Sequence, residues 1–253
     1  VIMSMEGKIR VPNFKNVLKI LKGIGEEAIL VFDEDGLSVR MVDGEKTKMA
    51  RVRISEDGFS NYVCDRQYEM AVVLIRLDDI VKALTTKDEL RFRIVDHEDG
   101  GMRFSLLANG MERGIKLLNL RLMEGHRAPP WPSFDYVFSA TVPSNEARSF
   151  LKAASVSNDF RVEVEPDSSG NGMCWSISDE REPLSWRPTD CKVSCNSHAI
   201  SLYSVENITA AVGATIGKQE LSIRGGTDIP IEFSWIPHEG ISMSTLVAHR
   251  GIN

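Results

Sequence analysis

Lys15, Lys19 and Lys22 fall at i, i+4 and i+7 of a stretch whose apolar residues Phe14, Val17, Leu18 and Leu21 also repeat at helical spacing. None of the three has an acidic partner at i±4 within that stretch, so one helix face is cationic and the opposite face apolar. Arg148 and Lys152 repeat the pattern beside Ala147, Phe150, Leu151 and Ala154, and Lys82 lies in a shorter helical stretch. Cations spread along a surface are sufficient to bind phosphates without reading bases. An ordinary solvated face is the competing reading of any one of these helices; agreement in sign between several of them counts against it. The net charge of −6 argues against a polycationic coat but is compatible with a basic face on an acidic body.

Other chemistry is poorly represented. Cys191, Cys195 and His198 look metal-like but lack a fourth ligand and the C-x-x-C spacing of a zinc knuckle. The glycines at 170–172 and 225–226 fit hairpin turns rather than a phosphate-cradling loop. Neither G-x-S-x-G nor H-E-x-x-H occurs. The expectation is a protein with no catalytic residues, no metal and no cofactor. Four cysteines are too few for a disulfide framework, which suggests a reducing, intracellular setting. No apolar run approaches the ~20 residues of a membrane span, and the first residues contain no stretch suited to a signal peptide.

The chain must position these cations with 253 residues, 42% apolar and 26% charged, enough for two ordinary domains. Arg121–Asp135 carries Pro129, Pro130 and Pro132 around Trp131, so it reads as an extended connector between residues 1–120 and 136–253. In the first half the pattern predicts a strand at Met5–Arg10, then a helix at Phe14–Ile24 capped by Asn13. A hairpin follows, turning at Asp33–Gly36, and then further strands. A second helix is expected at Leu77–Leu84 with Asp78 as its cap, followed by strands that include Arg113–Leu118. In the second half Ser144 is expected to cap a helix over Asn145–Val156, and Ser204 a helix ending near Val212. Pro183–Pro188 can form only a poor edge strand. Strand, helix, strands thus recurs four times, an α+β chain with helices on one side of antiparallel sheets. If the copies are related by symmetry, the outward helix faces form one cationic surface.

The sequence resembles the sliding clamps of the proliferating cell nuclear antigen (PCNA) family. The stretches that carry the resemblance are Leu37–Asp43 (LSVRMVD), Gly58–Arg66 (GFSNYVCDR) and Met70–Leu84, with weaker matches at Val142–Ser144, Ser157–Asp159 and Leu246–Ala248. The resemblance implies a DNA-clamp fold of two similar domains, each of paired βαβββ units, with three chains closing head to tail into a ring. Such a ring encircles duplex DNA without sequence preference, is opened by an ATP-driven clamp loader, and tethers DNA polymerase and other proteins that carry a clamp-binding motif. It implies an intracellular location with the DNA: the cytoplasm of an archaeon or infected cell, or a eukaryotic nucleus.

The family's channel cations correspond to Lys15, Lys22, Lys82 and Lys152 here, with Lys19 and Arg148 extra and Lys218 nearby. Asp79 stands where lysine is common, and the fourth helix has no basic residue. The family's partner-peptide pocket corresponds to Val42, Lys46, Thr47, Pro129, Trp131, Pro237, Val247 and Ala248. Pro129 and Trp131 replace an aliphatic pair, and His249 replaces a proline. Trp131 can alternatively anchor the connector to its own domain. Ring closure would use Arg113, Ile115 and Leu117 on one edge and Leu184 and Trp186 on the other. Two alternatives share the fold: a subunit of a heteromeric or checkpoint-type clamp, and a monomeric protein-binding module.

Overall fold

The structure, a computed structural model, describes residues 2–96, 101–166 and 172–251. Parts of the turns expected around residues 99–101 and 168–172 lie outside the described residues. The elements run in order as β1 (Ile2–Arg10), α1 (Val11–Lys22), β2 (Glu27–Asp33), β3 (Gly36–Val42), β4 (Lys48–Ser55), β5 (Asn61–Cys64), β6 (Tyr68–Val73), α2 (Leu74–Lys82), β7 (Glu89–Asp96), β8 (Met102–Ala108) and β9 (Met111–Ile115). The second series is β10 (Phe138–Pro143), α3 (Ser144–Ala153), β11 (Asp159–Val164), β12 (Met173–Ile177), β13 (Leu184–Trp186), β14 (Lys192–Cys195), β15 (Ala199–Ser204), α4 (Val205–Val212), β16 (Glu220–Gly225), β17 (Ile231–His238) and β18 (Ile241–Val247). Each βα junction is followed by three strands, and β5 and β14 are the additional strands between copies.

The chain forms two compact units that are not simple halves. The first comprises residues 1–42, 50–128 and 237–243; the second comprises 43–49, 129–236 and 244–253. Both interlock their two βαβββ copies in the same way. In the first, β1 pairs antiparallel with β7, and β2 with β6. In the second, β10 pairs with β16, and β11 with β15. Each copy therefore completes the sheet of the other, and neither could bury its apolar face alone.

The helix starts depend on this exchange, and they correct the expected caps. Each helix follows its strand without a loop. The amide of its first residue donates to a carbonyl just before a strand of the neighbouring copy: Val11 to Asp88 at 3.1 Å, Leu74 to Glu26 at 2.8 Å, Ser144 to Gln219 at 2.8 Å and Val205 to Asn158 at 2.9 Å. An amide satisfied in this way does not need a side-chain cap. Asn13 is accordingly inside α1, where Pro12 is tolerated in the first turn, and Asp78 lies in the middle of α2 rather than at its start. Ser144 is the first residue of α3, not its cap. Ser204 does cap α4, its Oγ accepting from the Asn207 amide at 3.2 Å.

Each unit has its own aromatic core. In the first, Phe14 of α1 meets Phe92 of β7 edge-on at 4.9 Å, and Phe32 and Phe104 extend the cluster. In the second, Trp175 of β12 is fully buried among Phe150, Phe160, Trp186 and Phe233. Ring pairs of this geometry add to the burial of their large apolar areas.

Candidate nucleic-acid interface

The amphipathic pattern of α1 places Val11, Phe14, Val17, Leu18, Ile20 and Leu21 in the core and leaves the lysines on the other face. Lys15 is half-buried and donates from Nζ to the Leu84 carbonyl at 3.3 Å, just past the end of α2, where the helix dipole favours a cation. Lys19 is exposed and makes no side-chain hydrogen bond or ion pair among the described residues. Lys22 and Lys82 converge on one atom: Asp78 Oδ2 lies 2.5 Å from Lys22 Nζ and 2.8 Å from Lys82 Nζ. Burial works against the Asp78 charge, but the hydrogen bonds and charges of the two lysines prevail and hold its carboxyl below the ordinary range. The hydrogen bond and charge of Asp78 raise the Lys82 ammonium in turn.

In the second unit Lys152 is exposed in the last turn of α3. Arg148 is engaged internally: its guanidinium donates to Thr215 Oγ1 at 2.6 Å and to the Gly217 carbonyl at 2.8 Å, holding the segment that follows α4. Lys218 is exposed on that segment, and its charge helps to hold the Glu146 carboxyl low, after the hydrogen bond from the Thr189 hydroxyl. α4 itself carries no basic residue. The structure thus brings Lys15, Lys22 and Lys82 together around α1 and α2, with Lys19 also on α1, and assigns Arg148 mainly to scaffolding.

The connector is fastened at both ends. On the first unit Met123 is buried, the Arg127 guanidinium pairs with Glu69, and Arg40 donates to the Ala128 carbonyl at 3.3 Å. On the second unit Glu232, only 2% exposed, accepts from the Tyr136 hydroxyl at 2.6 Å and from Arg224 at 2.7 Å. Burial opposes the Glu232 charge, yet hydrogen bonds from Tyr136, Arg224 and Trp131 and the Arg224 charge hold its carboxyl below the ordinary range. Trp131 is therefore a half-buried anchor of the connector on its own unit. Pro129 is exposed.

Of the other residues matched to the partner pocket, Thr47 accepts from the Ala248 amide at 2.8 Å. Asp43 fixes its loop by accepting from the Thr47 amide and hydroxyl, both at 2.7 Å, while Lys46 takes a left-handed φ of 56°. Val247 is fully buried and leaves no side-chain surface open to a peptide. Val42 and Pro237 are half-buried in the first unit.

One edge-strand expectation is corrected, and the other, a short edge strand at Leu184–Trp186, is met. β9 ends at Ile115, which is buried. Leu117 lies beyond the strand, because the next amide, Leu118, bonds to the Ala71 carbonyl at 2.8 Å and leads the chain away. β13 spans three residues, and its Trp186 turns into its own core, 4.9 Å from Trp175, with the indole donating to Glu146 at 3.2 Å. β9 and β13 are nonetheless edge strands of their sheets.

The metal-like cysteines do not form a cluster with His198. His198 Nε2 lies 3.0 Å from Glu163 Oε1, with Glu165 nearby, and burial pushes the Cys191 thiol up to about 11. Among the described residues no helix is long and apolar enough to cross a membrane. Sequence spacing gave Asp78 a capping role in place of its pairing with Lys22 and Lys82, and passed over Glu232. Each left a signal: Asp78 stands four residues before Lys82, and Glu232 interrupts the apolar run Ile231–Trp235.

Comparison with known proteins places this geometry in context. Residues 6–125 match the family model for the proliferating cell nuclear antigen N-terminal domain. The chain is 27% identical over 204 residues to a DNA polymerase sliding clamp of Picrophilus torridus, covering 81% of this chain and 80% of that one. It is 23% identical over 245 residues to a DNA polymerase sliding clamp of Thermofilum pendens, covering 94% and 95%. It superposes with a TM-score of 0.88 on A. fulgidus PCNA in a structure with the C-terminal region of FEN-1, at 20% identity and over 98% of this chain and 99% of that one. The α+β architecture is therefore that of the DNA clamps.

Proposed function

We propose that this chain, which belongs to the proliferating cell nuclear antigen family, is the subunit of a DNA sliding clamp that encircles duplex DNA and tethers a DNA polymerase and other replication and repair proteins. The observation that carries the proposal is the repeated βαβββ unit with cations on the outward faces of α1, α2 and α3. The mechanism is topological. A closed ring does not need to grip, and lysines that touch phosphates briefly hold the ring near the duplex while allowing it to slide. In this reading Lys15, Lys19, Lys22, Lys82, Lys152 and Lys218 face the DNA, three copies close through β9 and β13, and a clamp loader opens the ring. The relatives are sliding clamps by name, which supports a tethering role rather than a catalytic one.

The test is polymerase processivity on primed circular DNA. Addition of the chain and a loader should lengthen the products, and linearising the circle should abolish the effect as rings slide off. Products of unchanged length on circles would overturn the proposal. One observation favours a second reading, a subunit of a heteromeric ring: β13 has three residues, and its Trp186 is committed to its own core. Under that reading the chain alone forms no ring and gains closure only with a second clamp homologue.

A further inference from the structure

We propose that Asp78 sets the effective charge of the first unit's phosphate-facing surface, coupling Lys22 and Lys82 so that the pair presents one net positive charge instead of two. The proposal rests on the reading of that surface as DNA-facing. Three observations support it. The Asp78 side chain is 9% exposed, whereas Lys22 and Lys82 are 35% and 61% exposed, so the anion lies beneath two cations that reach the solvent. Both ammoniums bind the same oxygen, Oδ2, which keeps them close neighbours. The lysines come from different helices, so one carboxylate also joins the last turn of α1 to α2.

The consequence for binding follows from counterion release. Each lysine that neutralises a phosphate contributes about 0.9 to the slope of log affinity against log salt. A lysine already neutralised by a neighbouring carboxylate holds fewer counterions to release and attracts the backbone less. Asp78 therefore weakens and flattens DNA binding while fixing where the two ammoniums sit. For a protein that must slide, a softened contact is a functional setting rather than a defect.

The test measures anisotropy of a labelled linear duplex of mixed sequence with the full-length chain, across a series of NaCl concentrations. Asp78→Asn keeps the size of the side chain and an acceptor oxygen but removes the charge. It should bind roughly five- to tenfold more tightly at 0.1 M NaCl, with a salt slope steeper by about 0.9. The double variant Asp78→Asn with Lys82→Met should return both quantities to wild type, because the net charge is restored. Unfolding curves and molar mass establish that each variant is folded. If Asp78→Asn does not fold, the lysine variants serve: Lys82→Met should lower the salt slope by about 0.9 and adding Lys22→Met should lower it no further, whereas a second loss of about 0.9 would overturn the proposal. Unchanged affinity and slope in Asp78→Asn, with weaker binding by Lys15→Ala and Lys19→Ala, would overturn the role of Asp78 and leave the DNA-facing reading standing. Unchanged binding in all the lysine variants would overturn that reading itself.

Discussion

Glu232 and Asp78 use the same device at two places. Each is a carboxylate removed from water that stays charged because donors surround it. A group whose folded pKa is depressed stabilises the fold at pH values above its unfolded pKa, near 4, and loses that contribution as pH falls through the folded value. Acid unfolding should therefore begin below about pH 4, and Glu232→Gln should be less stable at pH 7 by about 2 kcal/mol, with a shallower acid limb in denaturant titrations. Trp131 belongs to the same network. Trp131→Ala should lower stability measurably and speed proteolysis within 121–135. Unaltered unfolding and proteolysis would return Trp131 to a role directed at partners alone.

At the scale of elements, the four α-helices among the described residues start by one rule, the amide of the first residue bonding to the neighbouring copy, and of these only α4 adds a side-chain cap. Ser204→Ala should consequently cost about 1 kcal/mol in equilibrium unfolding. The β2–β3 turn has a stricter requirement. Gly36 has φ of +131°, and a Cβ there would lie 2.0 Å from the Ile54 carbonyl oxygen. Gly36→Ala should lose on the order of 3 kcal/mol or fail to fold, read by thermal unfolding and soluble yield.

For the whole molecule, assembly is the quantity to measure. If β9 and β13 close a ring of identical chains, light scattering should give three times 28.2 kDa. Because β13 offers only three residues, that mass should fall towards the monomer on dilution more readily than for a long continuous pairing. A monomer at every concentration and salt, converted to a ring by a second homologue, would establish the heteromeric reading.

The amino-acid sequence by itself determined the repeat, the apolar faces of the helices, the connector and the cationic residues. All of these rest on local periodicity and on proline and glycine chemistry, which act over a few residues. The tertiary structure decided which charges are free. Lys22 and Asp78 are 56 residues apart and Tyr136 and Glu232 are 96 apart, distances at which spacing carries no information about pairing. It also moved the helix starts, because the partners of Val11 and Leu74 lie in the other copy, and it turned Trp186 inward, against the rings of Trp175 and Phe150 and with its indole on Glu146. Local sequence specifies what an element is and which face is apolar; only the folded packing specifies which polar groups satisfy one another and which remain for a ligand.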